Sequence, residues 1–146
     1  MNTLTYKLKM LNKNAVIPTK GSVESAGLDL YSIDDVTIMP NQTVFIHTGL
    51  AITPPDGYFG AIYARSGMAC KRGLRPANCT GICDNDYTGE YIVALHNDSN
   101  NIEHIKKGDR IAQLVFLPYI KTQCELVDDL NTTDRGNGGF GSTGWN

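Results

Sequence analysis

Arg65 through Gly73 reads as a short helix with an anion-binding start (Arg65-Ser66-Gly67-Met68-Ala69-Cys70-Lys71-Arg72-Gly73). Ser66 is a good N-cap residue, Lys71 and Arg72 suit a last turn, and Gly73 is a natural stop. Free first-turn N–H groups beside the Arg65 guanidinium suit an anion, phosphate above all. Taken alone, the same residues also describe a plain capped helix with Arg65 in a surface ion pair.

A second candidate is the acidic run Asp84-Asn85-Asp86-Tyr87-Thr88-Gly89-Glu90, between two apolar stretches. It begins like a calcium loop, but Leu95 stands where the bidentate Glu is required, so that reading fails. Two readings remain: a turn-rich connection between strands, or a loop in which one carboxylate takes the proton of an attacking water. The third candidate is the tail Arg135-Gly136-Asn137-Gly138-Gly139-Phe140-Gly141-Ser142-Thr143-Gly144. Its glycine spacing formally matches a dinucleotide fingerprint, yet no βαβ unit surrounds it, and the lysine of a phosphate-binding P-loop is missing. What remains is a flexible segment with one guanidinium, one aromatic ring and two hydroxyls.

The elements that must position these groups are short strands. Gly and Pro total 21 residues at nearly regular intervals, and Ile, Val and Thr total 32. That composition favours strands over helices. Alternation marks Val44–Thr48 and Tyr91–His96, while Phe59–Tyr63 and Ile111–Phe116 are apolar enough for buried strands. Pro54-Pro55-Asp56-Gly57 and Lys107-Gly108-Asp109 supply turns. Tyr119–Asn131 carries Ile120, Cys124 and Val127 at a loose helical spacing and competes as a helix. The pattern predicts an all-β sandwich or barrel with one short helix.

Composition narrows the function classes. A chain of 146 residues and 16.0 kDa is one domain, able to bury roughly 70% of its extended surface. A net charge of −2 lacks the broad basic footprint of a duplex-binding protein. The longest apolar run, Tyr91–Leu95, is far short of the ~20 residues of a membrane span. Met1–Leu11 interleaves Lys7 and Lys9 with apolar residues and has no signal-peptide core. Neither the four cysteines nor His47, His96 and His104 form a zinc pattern, so reduced, mostly buried thiols in a cytoplasm are expected.

Together these segments resemble the trimeric deoxyuridine triphosphatase (dUTPase) family from about Ile17 to Gly144. The matching motifs, in order, are Ala26-Gly27-Leu28-Asp29-Leu30, Ala64-Arg65-Ser66-Gly67, Gly81–Gly89, Gly108-Asp109-Arg110-Ile111-Ala112-Gln113, and the tail from Arg135. Each is weak alone; five in register are specific. Two positions depart from the family pattern: Ala64 replaces Pro, and Cys83 replaces Ile before the motif's Asp.

The resemblance implies a distorted jelly-roll barrel (residues 1–131) with a flexible arm (residues 132–146). It also implies a homotrimer whose sites combine pieces of neighbouring subunits. By similarity, the third motif is a β-hairpin that reads uracil, with Asn78 on the uracil carbonyl and Gly81, Ile82 and Ile92 shaping the slot. Tyr87 would stack on the deoxyribose and exclude a 2′-hydroxyl, and Asp84 would activate the water that attacks the α-phosphorus. Arg65, Ser66, Gly67 and Gln113 would hold the phosphates, with Asp29 and Asp109 bracing the site. From the tail, Phe140 would cover uracil while Arg135, Gly141, Ser142 and Thr143 close over the nucleotide. Mg2+ would be held by the phosphates and water rather than by the chain. The implied activity splits dUTP into dUMP and pyrophosphate, which keeps uracil out of DNA and supplies dUMP for thymidylate synthesis. The rivals are a related dCTP deaminase and a nucleotide-sensing module with a regulatory partner.

Overall fold

A computed structural model describes residues 3–140 and 142. Ten strands and one helix follow in order: β1 (Lys7–Met10), β2 (Leu28–Tyr31), β3 (Val36–Ile38), β4 (Thr43–Thr53), β5 (Tyr58–Tyr63), α1 (Ser66–Arg72), β6 (Leu74–Pro76), β7 (Gly81–Cys83), β8 (Glu90–Asn97), β9 (Glu103–Ile105) and β10 (Arg110–Pro118). They form two four-stranded sheets, β1-β4-β8-β6 and β2-β10-β5-β7, and a small β3-β9 pair, all antiparallel. The four sequence-predicted strands are the long central ones.

One apolar cluster draws from all three sheets: Leu50, Ile52, Leu74 and Leu95 from the first, Leu30, Ile62, Ile111 and Leu114 from the second, Ile38 and Ile105 from the third. This is the jelly-roll sandwich, with alternate side chains of each sheet turned into a shared core. Strand β4 alternates only in its first half. A bulge between His47 and Ala51, with Gly49 at φ 68°, then turns it into a continuously buried run. Edge strand β1 carries the two lysines noted above, and edge strand β6 ends in Pro76, which a central strand would not tolerate.

Residues 119–131 are not helical. Ile120, Leu126, Val127 and Leu130 are exposed, so among the described residues the periodic apolar face has nothing to pack on. The thiols also depart from expectation: Cys70, Cys79 and Cys124 are exposed, and only Cys83 is buried.

Candidate active site

Helix α1 begins without the expected cap. Arg65, in extended backbone (φ −83°, ψ 132°), is the N-cap residue, and no side chain accepts from the first turn. Ser66 is instead the first helical residue, which leaves its hydroxyl exposed rather than spent on the backbone. Gly73 closes the helix in the left-handed region at φ 68°, and buried Met68 pins it to the core.

Beside this helix start lies a polar cleft of about 450 Å³, lined by Asp29, Arg65, Ser66, Gly67, Arg110 and Gln113 with the Gly21–Gly27 loop. Asp29 organises it. Its two oxygens accept from Arg65 Nε at 2.8 Å and Arg110 NH1 at 3.3 Å, and its side chain is only 13% exposed. One carboxylate therefore holds two guanidiniums at the rim, leaving net positive charge facing outward. Gln113, on β10, donates to the Ala64 carbonyl at 2.8 Å. Its Oε1 lies where a side chain on Gly27 would be, 2.6 Å from the position of a Cβ, so any larger residue at 27 would displace the Gln113 amide. Asp109 sits elsewhere: its carboxylate accepts from Lys106 N–H and fixes the β9–β10 turn.

The third motif is not a laddered hairpin. β7 pairs with β5 in one sheet, and β8 pairs with β4 and β6 in the other, so Asp84–Gly89 crosses between the sheets. The first arm is too short, and Asp84 begins a turn closed by Tyr87 N–H to the Asp84 carbonyl at 3.1 Å. Asn85 nails this loop down, its Nδ2 lying 3.0 Å and 3.1 Å from the Pro55 and Tyr58 carbonyls. Asp84, Ile82, Asn85 and Asp86 line a depression of about 670 Å³ with Phe59, Tyr119 and Lys121.

The remaining base-side residues cluster near that loop. Asn78 Nδ2 is 3.5 Å from where a Cβ on Gly81 would be, and Ile62 Cβ is 3.2 Å away, so a side chain at 81 would crowd Ile62. Ile82 and Ile92 both point away from the core, exposed on β7 and β8. Tyr87 folds back over Gly89, donates its hydroxyl to the Glu90 carbonyl at 2.9 Å, and stacks on Tyr91 with centroids 6.2 Å apart. A methyl at Gly89 would lie 2.6 Å from the Tyr87 ring, so the bare glycine sets the ring's position.

The structure thus gathers the phosphate candidates into one cleft and the water-activating candidate with Ile82 into another. Among the described residues it joins the tail to neither. Among the described residues the tail's hydrogen bonds are internal, as in Arg135 Nε to the Gly138 carbonyl at 3.0 Å. Phe140 is fully exposed, Ser142 donates backbone N–H to Gly139, and Gly141 and Thr143 lie outside the described residues.

Comparison with known proteins decides what this arrangement belongs to. The dUTPase family model matches residues 13–144. The chain belongs to the dUTPase family. It is 47% identical to a deoxyuridine 5′-triphosphate nucleotidohydrolase of Nautilia profundicola over 97% of this chain and 99% of that one. It is 42% identical to the Saccharomyces cerevisiae enzyme of that name, over 94% and 93%. Among solved structures, a Staphylococcus bacteriophage 80alpha dUTPase with dUpNHpp superposes with a TM-score of 0.88 at 30% identity, covering 97% and 99%. A dUTPase from phage phi11 of S. aureus, described with a structural Mg(II) ion, gives 0.78 at 26% over 86% and 97%.

Against the family pattern, both departures are accommodated. Ala64 keeps the carbonyl that Gln113 needs. Cys83 is 8% exposed, and burial pushes its thiol up to about 11, so it behaves as a small apolar residue and not as a nucleophile. Sequence reasoning gave no role to Gly27, Gly89 and Arg110, although all three stand inside the quoted motifs. Their signal is glycine or guanidinium identity, which becomes informative only once the facing side chain is known.

Proposed function

We propose that this dUTPase-family chain hydrolyses dUTP to dUMP and pyrophosphate as a homotrimer whose sites are built from more than one subunit. The observation that carries the reading is that the phosphate residues Arg65, Ser66, Gly67 and Gln113 line one cleft of the chain while Asp84 and Ile82 line another. A second copy, presenting its Arg65 cleft to the first copy's Asp84 loop, would complete the set. Exposed apolar side chains support such packing: Phe45 is 69% exposed and Leu126 96%.

In the assembled site Arg65, Arg110, Ser66, Gly67 and Gln113 hold the triphosphate, and Asp29 keeps both guanidiniums aimed. Uracil enters against Gly81 and Ile82 with Asn78 on its carbonyl and Ile92 at the outer wall. Asp84 takes the proton of the water that attacks the α-phosphorus, and pyrophosphate leaves from the Arg65 side. The arm from residue 132, with Arg135, Phe140, Gly141, Ser142 and Thr143, closes over the nucleotide.

Asp29, the carboxylate of the phosphate cleft, already faces two guanidiniums. The residues therefore suit Mg2+ carried on the triphosphate, coordinated by phosphate oxygens and water, as an ion reluctant to lose its waters prefers. When bound it neutralises developing phosphate charge. Free thiols at Cys70, Cys79, Cys83 and Cys124 suit a reducing cytoplasm. Among the described residues no helix is long and apolar enough to cross a membrane.

The test is a panel of nucleoside triphosphates with Mg2+, following pyrophosphate and ammonia, together with light scattering. Pyrophosphate from dUTP alone and a mass of three 16.0 kDa chains are expected. Ammonia from dCTP would replace this reading with deamination, and a monomer mass would remove the shared site.

Tyr87→Ala is expected to relax rejection of UTP more than it weakens dUTP turnover. The ring lies over bare Gly89, bonded to the Glu90 carbonyl and stacked on Tyr91, contacts that oppose its swinging aside for an added hydroxyl. Loss of the ring's contact should weaken both nucleotides alike, so the ratio of kcat/KM values for dUTP and UTP isolates the steric part. A ratio equal to the parent's would make Tyr87 a packing residue.

A further inference from the structure

Among the described residues Tyr91 is the largest fully buried side chain, and it belongs to β8 of the first sheet. Its hydroxyl reaches across the sandwich to the second sheet. A Cβ on Gly60 of β5 would lie 3.1 Å from that hydroxyl and 3.3 Å from Cys83 Cβ of β7, so the phenol and the cysteine meet over a bare glycine. Tyr91 Oη is the one buried side-chain nitrogen or oxygen among the described residues with no hydrogen-bond partner, and Cys83 packs beside it over Gly60. The other end of the residue is fixed too, because Thr48 Oγ1 donates to the Tyr91 carbonyl at 2.6 Å. The ring face supports Tyr87 at 6.2 Å with 28° between planes. Cys83 immediately precedes Asp84, and Tyr87 closes the turn that Asp84 begins.

A buried hydroxyl without a partner carries a desolvation cost that a phenylalanine would not, so its retention calls for an explanation. Here it stands directly beneath the loop that carries Asp84. We propose that Tyr91 is a positioning residue for hydrolysis, a strut between the sheets that sets Asp84 through Cys83 and Tyr87 through ring stacking. The proposal rests on the dUTP hydrolysis reading and adds a residue to it.

The test uses the full-length protein and the variants Tyr91→Phe, Cys83→Ala, the double variant and Tyr91→Leu. Each is assayed with dUTP and UTP and followed by thermal unfolding. Turnover by the parent is established first; its failure refutes the dUTPase reading and is visible without any variant. Tyr91→Phe should lower kcat roughly tenfold at unchanged KM, since small misplacements of a catalytic group cost rate before binding. Its unfolding temperature should be equal to or above the parent's, which separates positioning from support of the fold. Cys83→Ala should lose kcat similarly, and the double variant should be no worse than either single one, because both act through one contact. Tyr91→Leu, without the ring, should also relax the dUTP-to-UTP ratio. A Tyr91→Phe kcat within twofold of the parent, or losses that multiply in the double variant, would overturn the proposal even if Tyr91→Leu fails to fold.

Discussion

Asp84→Asn is expected to abolish dUTP turnover and leave nucleotide binding in place. The amide fills the space of the carboxylate but cannot take a proton from the attacking water, and a positioned general base contributes roughly 10²–10⁴-fold to rate. The loop should survive the change. It is anchored by the Asn85 side chain on the Pro55 and Tyr58 carbonyls and by the backbone turn from Asp84 to Tyr87, neither of which uses the Asp84 carboxylate. Calorimetry with a non-hydrolysable dUTP analogue should return the parent's affinity while pyrophosphate release falls to background. Turnover within a few-fold of the parent would take the role of base away from Asp84.

Asp29→Ala should strike the phosphate half as hard by a different route. Arg65 and Arg110 share this carboxylate, so its loss leaves two adjacent cations without a counter-charge, Arg65 keeping only a long 3.4 Å bond to the Arg110 carbonyl. Both side chains would turn toward solvent, and kcat/KM should fall roughly 10²-fold, chiefly through KM. Arg110 is half exposed, so the stability cost should be about 2 kcal/mol, below the ~3–5 kcal/mol of breaking a fully buried pair. Steady-state kinetics and the denaturant midpoint check the two effects separately. An unchanged KM would mean that the phosphates are held without this bracket.

The long strands were legible in the sequence because their apolar residues face one core, and alternation survives wherever one side of a strand is solvated, as in the first half of β4. The second half was not, because the Gly49 bulge buries both sides. Tyr119–Asn131 misled for the opposite reason: its spacing suits a helix, but a periodic face forms one only when something covers it. At the site, residue types and order were readable and connectivity was not. Asp84-Asn85-Asp86-Tyr87 reads as a turn, yet nothing local reveals that the turn joins two sheets, a fact decided by β5 and β4 far along the chain. Ser66 likewise suits an N-cap, and only the extended backbone at Arg65 moves the helix start by one residue. The roles of Gly27 and Gly89 depend on Gln113 and Tyr87 lying against them, a contact that composition cannot express.

The separation of Asp84 from Arg65 on one chain also bears on how activity tracks expression. On the proposed assembly, with the halves of each site on different clefts of one chain, a newly made subunit would be catalytically silent until it meets others. Below the concentration at which subunits stay associated, hydrolysis would rise more steeply than protein amount, and dilution would extinguish it faster than it removes the protein. A cell making little of this polypeptide would have almost none of the enzyme, and modest induction would cross a threshold instead of adding in proportion.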